Sequence, residues 1–306
     1  MDREALANLA MTEDQFDSQL ADCAIETEVF LAAHLATLDA PEHLLAAMAH
    51  GALDGGKRLR PFLVRLSASL FAVPHEKSLA AGAALEMIHC YSLVHDDLPD
   101  MDNDELRRGK PTVWKAFDPA LAILAGDALL TEAFALLSDP RTHPDPAIRA
   151  ELVLTLAHAA GPAGMVGGQV LDIEGETSPL DEEAIFTMQA RKTGALIRAG
   201  VEMGAILGGA SPAQRSGLTR FGTAAGLAFQ IADDILDVTA TSHALGKTAG
   251  KDVAQNKSTI VARKGLDAAR QVLDGAVANG IDALLPFGPS ADPLRALIRH
   301  FAARQS

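Results

Sequence analysis

An apolar segment of helical length that runs straight into a block of carboxylates constrains this chain more than any other feature. Ala80 to Val94 is predominantly apolar and reads as a buried helix. It leads into Asp96-Asp97-Leu-Pro-Asp100-Met-Asp102-Asn-Asp104-Glu105, six acidic residues followed directly by the basic Arg107, Arg108 and Lys110. Burying a helix does not call for so many carboxylates at its end, and they repel one another unless a cation lies between them. Mg²⁺ fits that need, being a hard ion held by one or two carboxylates, waters and substrate phosphates. The expectation is a metal-diphosphate site at the mouth of an apolar pocket.

A second stretch, Phe229-Gln230-Ile-Ala-Asp233-Asp234-Ile-Leu-Asp237, repeats the theme after another apolar helix. Asp233 and Asp237 are four apart and share a helix face, with Asp234 about 100° round. Two acidic clusters, each ending an apolar segment, can face each other across one cavity.

The rest of the chain also has helical period, and no two-residue alternation bounded by turn signals stands out. Thr12 with Gln15 predicts a capping box opening a helix to about Leu38, and Pro41 opens a short helix to about Leu53. Asp54-Gly-Gly-Lys57-Arg58-Leu-Arg60-Pro61 is a glycine turn with three cations, Pro61 suiting a first helical position. Pro99 falls within the first acidic block and disturbs the helix there. Asp118-Pro119 caps a helix to Leu137, and Ser138 to Pro146 is a surface loop. One helix is expected from there to about Ile173, another from Asp181 with Gly200, Gly204 and Gly208 on one face, and another from Ser211-Pro212. Ala240 to Lys257 reads as a polar loop. Two or three helices follow, broken near Gly280 and between Pro286 and Pro293. The fold class expected is all-α, a single domain spanning residues 1–306, with no linker or short repeat.

The net charge is −14, which argues against nucleic acid or an anionic membrane as partner. An acidic chain of this kind can hold an anionic substrate only through metal ions and a local set of Lys and Arg. Cys23 and Cys90 fall in apolar helical patterns outside any CxxC pair, as expected of buried thiols in a reducing compartment. The acidic N-terminus lacks the order of a signal peptide. No segment reaches roughly 18 uninterrupted apolar residues, so no transmembrane helix is expected and the cytoplasm is the expected location.

With both clusters placed, the chain resembles the polyprenyl (isoprenyl) diphosphate synthases, most closely their short-chain bacterial farnesyl branch. GGKRLRP, DDLPDMD with LRRGKPT, GGQVLD, KTG, FQIADDILD, LGKTAGKD and NKST occur in family order between Gly55 and about Lys257, seven motifs over roughly two-thirds of the chain. The resemblance implies a bundle of mostly antiparallel helices around a deep apolar cavity, as a homodimer. It implies head-to-tail condensation: an allylic diphosphate ionises, isopentenyl diphosphate attacks the cation, and a proton is lost. The departing diphosphate needs charge neutralisation, and the carbocation needs a pocket poor in water.

By the same resemblance, two or three Mg²⁺ ions are held by Asp96, Asp97, Asp102 and Asp233, joined by Asp172 of GGQVLD, with Asp234 and Asp237 completing the second motif. On an unbroken helix Asp100, not Asp102, would share the Asp96 face; the family pattern uses the later aspartate, with Pro99 as the bulge that turns it back. Gly56, Lys57, Arg60, His89 and Arg108 match the isopentenyl diphosphate site. Arg107, Lys192, Thr193, Gln230, Lys247 and Lys257 match the allylic site, where dimethylallyl or geranyl diphosphate is expected. Asp96, Asp97, Asp102, Arg107, Lys192, Asp233 and Lys247 make up the expected catalytic set. Tyr91, five residues before Asp96 and about 7.5 Å along a helix axis, is the expected floor for a C15 product.

The competing readings are a C20 product, a class I terpene cyclase and a non-catalytic subunit of this fold. A cyclase would carry an Asn/Ser/Glu motif where this chain has Asp233-Asp234-x-x-Asp237, and a subunit would have lost carboxylates or cations. Trp114, the sole tryptophan, stands where the relatives mostly carry His. It is expected either to pack the next helix or to alter closure of the site. The ordinary alternatives are a solvated acidic loop, exposed loop lysines, and core roles for His89 and Tyr91.

Overall fold

The computed structural model describes residues 11–53, 55–178, 180–239 and 259–303. Among these the chain is helical almost throughout. The helices are α1 (Glu13–Leu35), α2 (Glu42–Ala52), α3 (Leu59–Ser69), α4 (His75–Asp96), α5 (Val113–Ala116), α6 (Pro119–Ser138) and α7 (Pro146–Ala160). There follow α8 (Met165–Thr177), α9 (Glu182–Gln189), a π-helical turn (Ala190–Gly194), α10 (Ala195–Leu207), α11 (Pro212–Thr239), α12 (Ile260–Lys264), α13 (Leu266–Ala283), a 3-10 segment (Leu285–Ala291) and α14 (Asp292–Ala303).

The predicted caps form. Thr12 and Gln15 make the reciprocal capping box of α1, and Asp118 accepts from the Leu121 amide with Pro119 at the start of α6. Several boundaries differ from expectation. Helix α3 begins at Leu59, so Pro61 sits third, still in the turn whose amides lack intrahelical acceptors. The helix expected from Pro146 to Ile173 is two helices, parted at Gly161 and Gly164. A Cβ on Gly164 would lie 2.0 Å from the Ala159 carbonyl oxygen, so only glycine permits this turn. Gly280 does not break α13; it admits Ile298 of α14 against the helix backbone. Among the described residues there is also one small hairpin that periodicity missed, β1 (Leu106–Arg107) antiparallel to β2 (Lys110–Pro111).

Helix α10 lies between two apolar cores. Eleven of its residues are buried, and only Arg198 and Glu202 escape, as befits a helix covered on all sides. Leu196, Ala199 and Met203 join a core with α2, α4, α6 and α7; Ile197, Val201 and Ala205 join one with α3, α11, α13 and α14. The Gly200, Gly204 and Gly208 stripe presses on α3 and the turn after it. A Cβ on Gly204 would sit 2.5 Å from the Val64 carbonyl oxygen, and on Gly208 2.5 Å from Phe71 Cβ. This contact fixes α3, and with it the end of the Gly55–Arg60 loop, against the helix that follows the π turn.

Helix α6 alone, among the described residues, is long and apolar enough to cross a bilayer by length and composition, where none was expected. It packs on α4, α2 and α7, carries Asp127 and Glu132, and Glu132 bonds His34 of α1 at 2.8 Å.

Candidate active site

Helix α4 ends at Asp96, and the chain then folds back on itself. The Asp102 amide donates to the Asp96 carbonyl at 2.8 Å and the Asp104 amide to the Asp97 carbonyl at 3.1 Å. Pro99 and Asp100 are left exposed, whereas Asp102 is half-buried beside the helix end. The turn after Pro99 therefore carries Asp102 back to Asp96, which a straight helix would have denied it. The hairpin follows, with Arg108 and Gly109 at positive φ (53° and 77°).

The hairpin's Arg107 grips Asp97 in a forked contact, Nη2 to Oδ1 at 2.6 Å and Nε to Oδ2 at 2.9 Å. Asp97 is 2% exposed, and burial raises its carboxyl above the ordinary range even though Arg107 opposes the rise. Both oxygens of Asp97 are thus engaged by one guanidinium. Burial also pushes the Asp96 carboxyl up to about 6, with Lys192, Asp102, Arg107 and Asp97 contributing in both directions. Burial outweighs the lowering by Lys192, the strongest of the charges that act on Asp96.

Lys192 comes from the π turn, an interruption that periodicity cannot show because one extra residue is absorbed in a single turn. Two glycines clamp it. A Cβ on Gly168 of α8 would lie 2.2 Å from the Lys192 amide nitrogen, and one on Gly226 of α11 would lie 2.8 Å from Gly194 Cα. Held this way, Lys192 Nζ bonds Asp172 at 2.5 Å and lies close enough to Asp96 to lower its pKa. The π turn thereby links the helices of the GGQVLD and second aspartate motifs to the end of α4. Thr193 sits half-buried in the same turn.

The three aspartates of α11 have different surroundings. Asp237 is exposed and Asp233 half-buried. Asp234 is turned into the protein, where it accepts from the Gln189 amide at 2.8 Å and the Gln230 amide at 2.9 Å. Burial drives its carboxyl up to about 6, against those amides and the Ile260 backbone. The Gln230 amide expected at a diphosphate is therefore engaged within its own helix.

A cationic group gathers about His89, two turns before Asp96 on α4. Arg108 rests on the Gly55–Gly56 backbone; a Cβ on Gly56 would lie 2.7 Å from its Nη2, and Gly56 has φ 88°. Arg60 feels the charges of Glu86, Asp233 and Arg108, and burial lowers its pKa. Its Nε is buried without a hydrogen-bond partner. His89 is pushed well below the ordinary imidazole range, first by burial and then by Arg60, Arg108, Arg107 and Arg58, so it is neutral at physiological pH. Lys57 is exposed. Arg58, third cation of the glycine turn, points inward instead and bonds Glu86 at 2.8 Å, Glu28 at 2.5 Å and the Ala52 carbonyl at 2.7 Å. A cavity of about 60 Å³ opens beside this group, lined by Glu86, His89, Asp97, Arg107, Arg108 and Lys110 among others. A wider groove of about 620 Å³, between Met11–Gln19 and Pro289–Pro293, is remote from all of these.

Lys247 and Lys257 lie outside the described residues. Tyr91 is 6% exposed, inside the α4–α6 core, with its ring edge-on to His95 at 5.7 Å. Sequence reasoning missed Gln189, Gly226 and the hairpin; a buried amide and a helix glycine carry no local signal of their partners.

The donor set suits a hard divalent cation. Every candidate ligand is a carboxylate oxygen, the donor type a hard ion takes. Among the described residues no group of three or more His, Cys, Asp or Glu is arranged to hold a metal ion.

Helices stacked around paired carboxylate motifs with flanking cation clusters define an isoprenoid-synthase type of fold and site. The chain belongs to the polyprenyl synthetase family, whose family model matches residues 41–281. It is similar to the farnesyl diphosphate synthase of Geobacillus stearothermophilus, 44% identical over 82% of this chain and 84% of that one. The farnesyl diphosphate synthase of Escherichia coli is 44% identical over 84% and 87%. Among solved structures, the apo FPP/GFPP synthase of Zymomonas mobilis superposes with a TM-score of 0.86 at 42% identity, over 94% of this chain and 99% of that one.

Proposed function

We propose that this chain condenses isopentenyl diphosphate with dimethylallyl and then geranyl diphosphate to give farnesyl diphosphate. The observation that carries the reading is two groups of charge along α4. Asp96, Asp102 and Asp172 gather with Lys192 at its end, and Arg60 and Arg108 gather about His89, two turns earlier. One diphosphate belongs to each group. Mg²⁺, two or three ions, supplies charge neutralisation at the departing diphosphate when bound. Asp96, Asp102, Asp172 and Asp233 would hold it.

The residues then divide the work. Lys192, tied to Asp172, would bind the allylic diphosphate with its ammonium, and Thr193 of the same turn would join it. Lys247 and Lys257, expected at the same diphosphate, lie outside the described residues. Arg107 holds Asp97 and so fixes the turn that brings Asp102 to Asp96. Asp234 locks α11 to the π turn through Gln189, leaving Asp233 at the site. Arg60, with its orphaned Nε, Arg108, Lys57 and His89 bind the second diphosphate against the Gly55–Gly56 backbone. The apolar wall of α4 below Asp96 excludes water from the cation, and Tyr91 closes it at C15 length.

Incubation with labelled isopentenyl diphosphate and each allylic primer, with and without Mg²⁺, followed by product sizing, tests this. Mg²⁺-dependent C15 is expected. A C20 main product would remove the length assignment, and no chain growth would remove the function.

A further inference from the structure

Trp114 lies in the short helix α5, behind the hairpin, and bonds the backbone of the first carboxylate block rather than any of its carboxylates. Its indole Nε1–H donates to the Asp104 carbonyl at 2.9 Å. The Thr112 hydroxyl donates to the same oxygen at 2.8 Å, and Thr112 is 2% exposed. The Thr112 amide donates to the Glu105 carbonyl at 3.0 Å. Lys115 reinforces the arrangement, its ammonium 5.5 Å from the centre of the indole ring and 2.8 Å from Glu105.

The stapled residue is the one that matters. Asp104 stands two residues after Asp102 and three before Arg107, and its own amide is bound to the Asp97 carbonyl. Both lone-pair directions of its carbonyl are taken, one by the indole and one by the hydroxyl. The segment between the end of α4 and the hairpin is otherwise a loop, with Asn103 at positive φ. Thr112 and Trp114 hold that loop from outside.

We infer that Trp114, with Thr112, is a positioning residue that sets cation affinity by fixing Asp102 against Asp96 and Arg107 against Asp97. The inference rests on the proposed site and extends it to a residue that touches no substrate. Groups that orient metal ligands typically change metal affinity by about 10- to 100-fold when removed. Trp114→Phe keeps an aromatic ring, a smaller one, and deletes the donor. Trp114→His keeps a ring N–H. Thr112→Val deletes the other donor and retains the volume.

The test measures the Mg²⁺ concentration that half-saturates prenyl transfer, and, by calorimetry, Mg²⁺-dependent binding of inorganic pyrophosphate, which requires no turnover. Trp114→Phe and Thr112→Val should each raise the half-saturating Mg²⁺ about tenfold, with kcat at saturating Mg²⁺ close to that of the wild type. Trp114→His should recover most of the loss. A Trp114→Phe protein that melts earlier but keeps the wild-type Mg²⁺ dependence would show mere packing and overturn the inference. Should that variant fail to fold, Thr112→Val carries the same test, and unchanged Mg²⁺ dependence there overturns it equally. Wild-type product formation, measured in parallel, reports separately on the proposed function.

Discussion

Asp102 and Asp100 are the pair on which ideal helix spacing and the observed turn differ. Four-residue spacing puts Asp100 on the Asp96 face, but α4 stops at Asp96 and the turn after Pro99 returns Asp102 to it. Asp102→Ala should therefore lower kcat by about 10²-fold, the scale of losing a preorganised electrostatic contact. Asp100→Ala, at an exposed position, should stay within about twofold of wild type; steady-state rates of both variants decide it. Asp96 carries a pH prediction. Its carboxyl titrates near 6, above the ordinary 3.8, so its cation-binding form is lost as pH falls through about 6. The acid limb of activity should lie there and move to lower pH as Mg²⁺ is raised, because metal and protons compete. The stability effect of the cation-free protein runs the other way. A raised folded pKa means this group favours folding below about 3.8 and loses that contribution as pH rises through about 6. Tyr91→Ala should lengthen the product, read by chromatography; an unaltered C15 product would deny it the floor role.

At the scale of elements, the π turn does most to assemble the site, and two glycines make room for it. Gly168→Ala or Gly226→Ala would drive a methyl into the Lys192 or Gly194 backbone. Each should cost about 1–3 kcal/mol in denaturant unfolding, the range for overpacking, and raise KM for the allylic diphosphate. Gly275 in α13 is the control, with open space where its Cβ would be. Gly275→Ala should stabilise by about 0.5–1 kcal/mol in the same measurement. Helix existence, type and caps were legible because periodicity and capping side chains are local. The π turn, the split at Gly161–Gly164 and the hairpin were not, since each depends on what packs against it. GGQ and KTG stood out in the chain, but that Gly168 exists to admit Lys192 is a fact about two helices meeting.

At the scale of the whole molecule, α6 leaves an apolar face uncovered. Only 39% of its most apolar stretch is buried, and Ile123 and Leu124 are 45% and 55% exposed. We propose that a second copy of this chain covers it. Ile123→Asp with Leu124→Asp should yield monomer by light scattering while the wild type runs as a dimer; a wild type that is already monomeric would remove this assignment.

The order of the motifs, the all-helical class and the residue types available for diphosphate and cation were properties of the sequence alone, because helical period and aspartate clustering are written along the chain. Packing decided how those residues are divided. Asp97 and Asp234 are engaged by Arg107 and by two glutamine amides, Arg58 is buried against Glu86, and Lys192 is aimed by a turn that only Gly168 and Gly226 admit. Aspartates adjacent in sequence differ in surroundings because burial and hydrogen-bond partners come from segments distant in the chain, which local spacing does not encode.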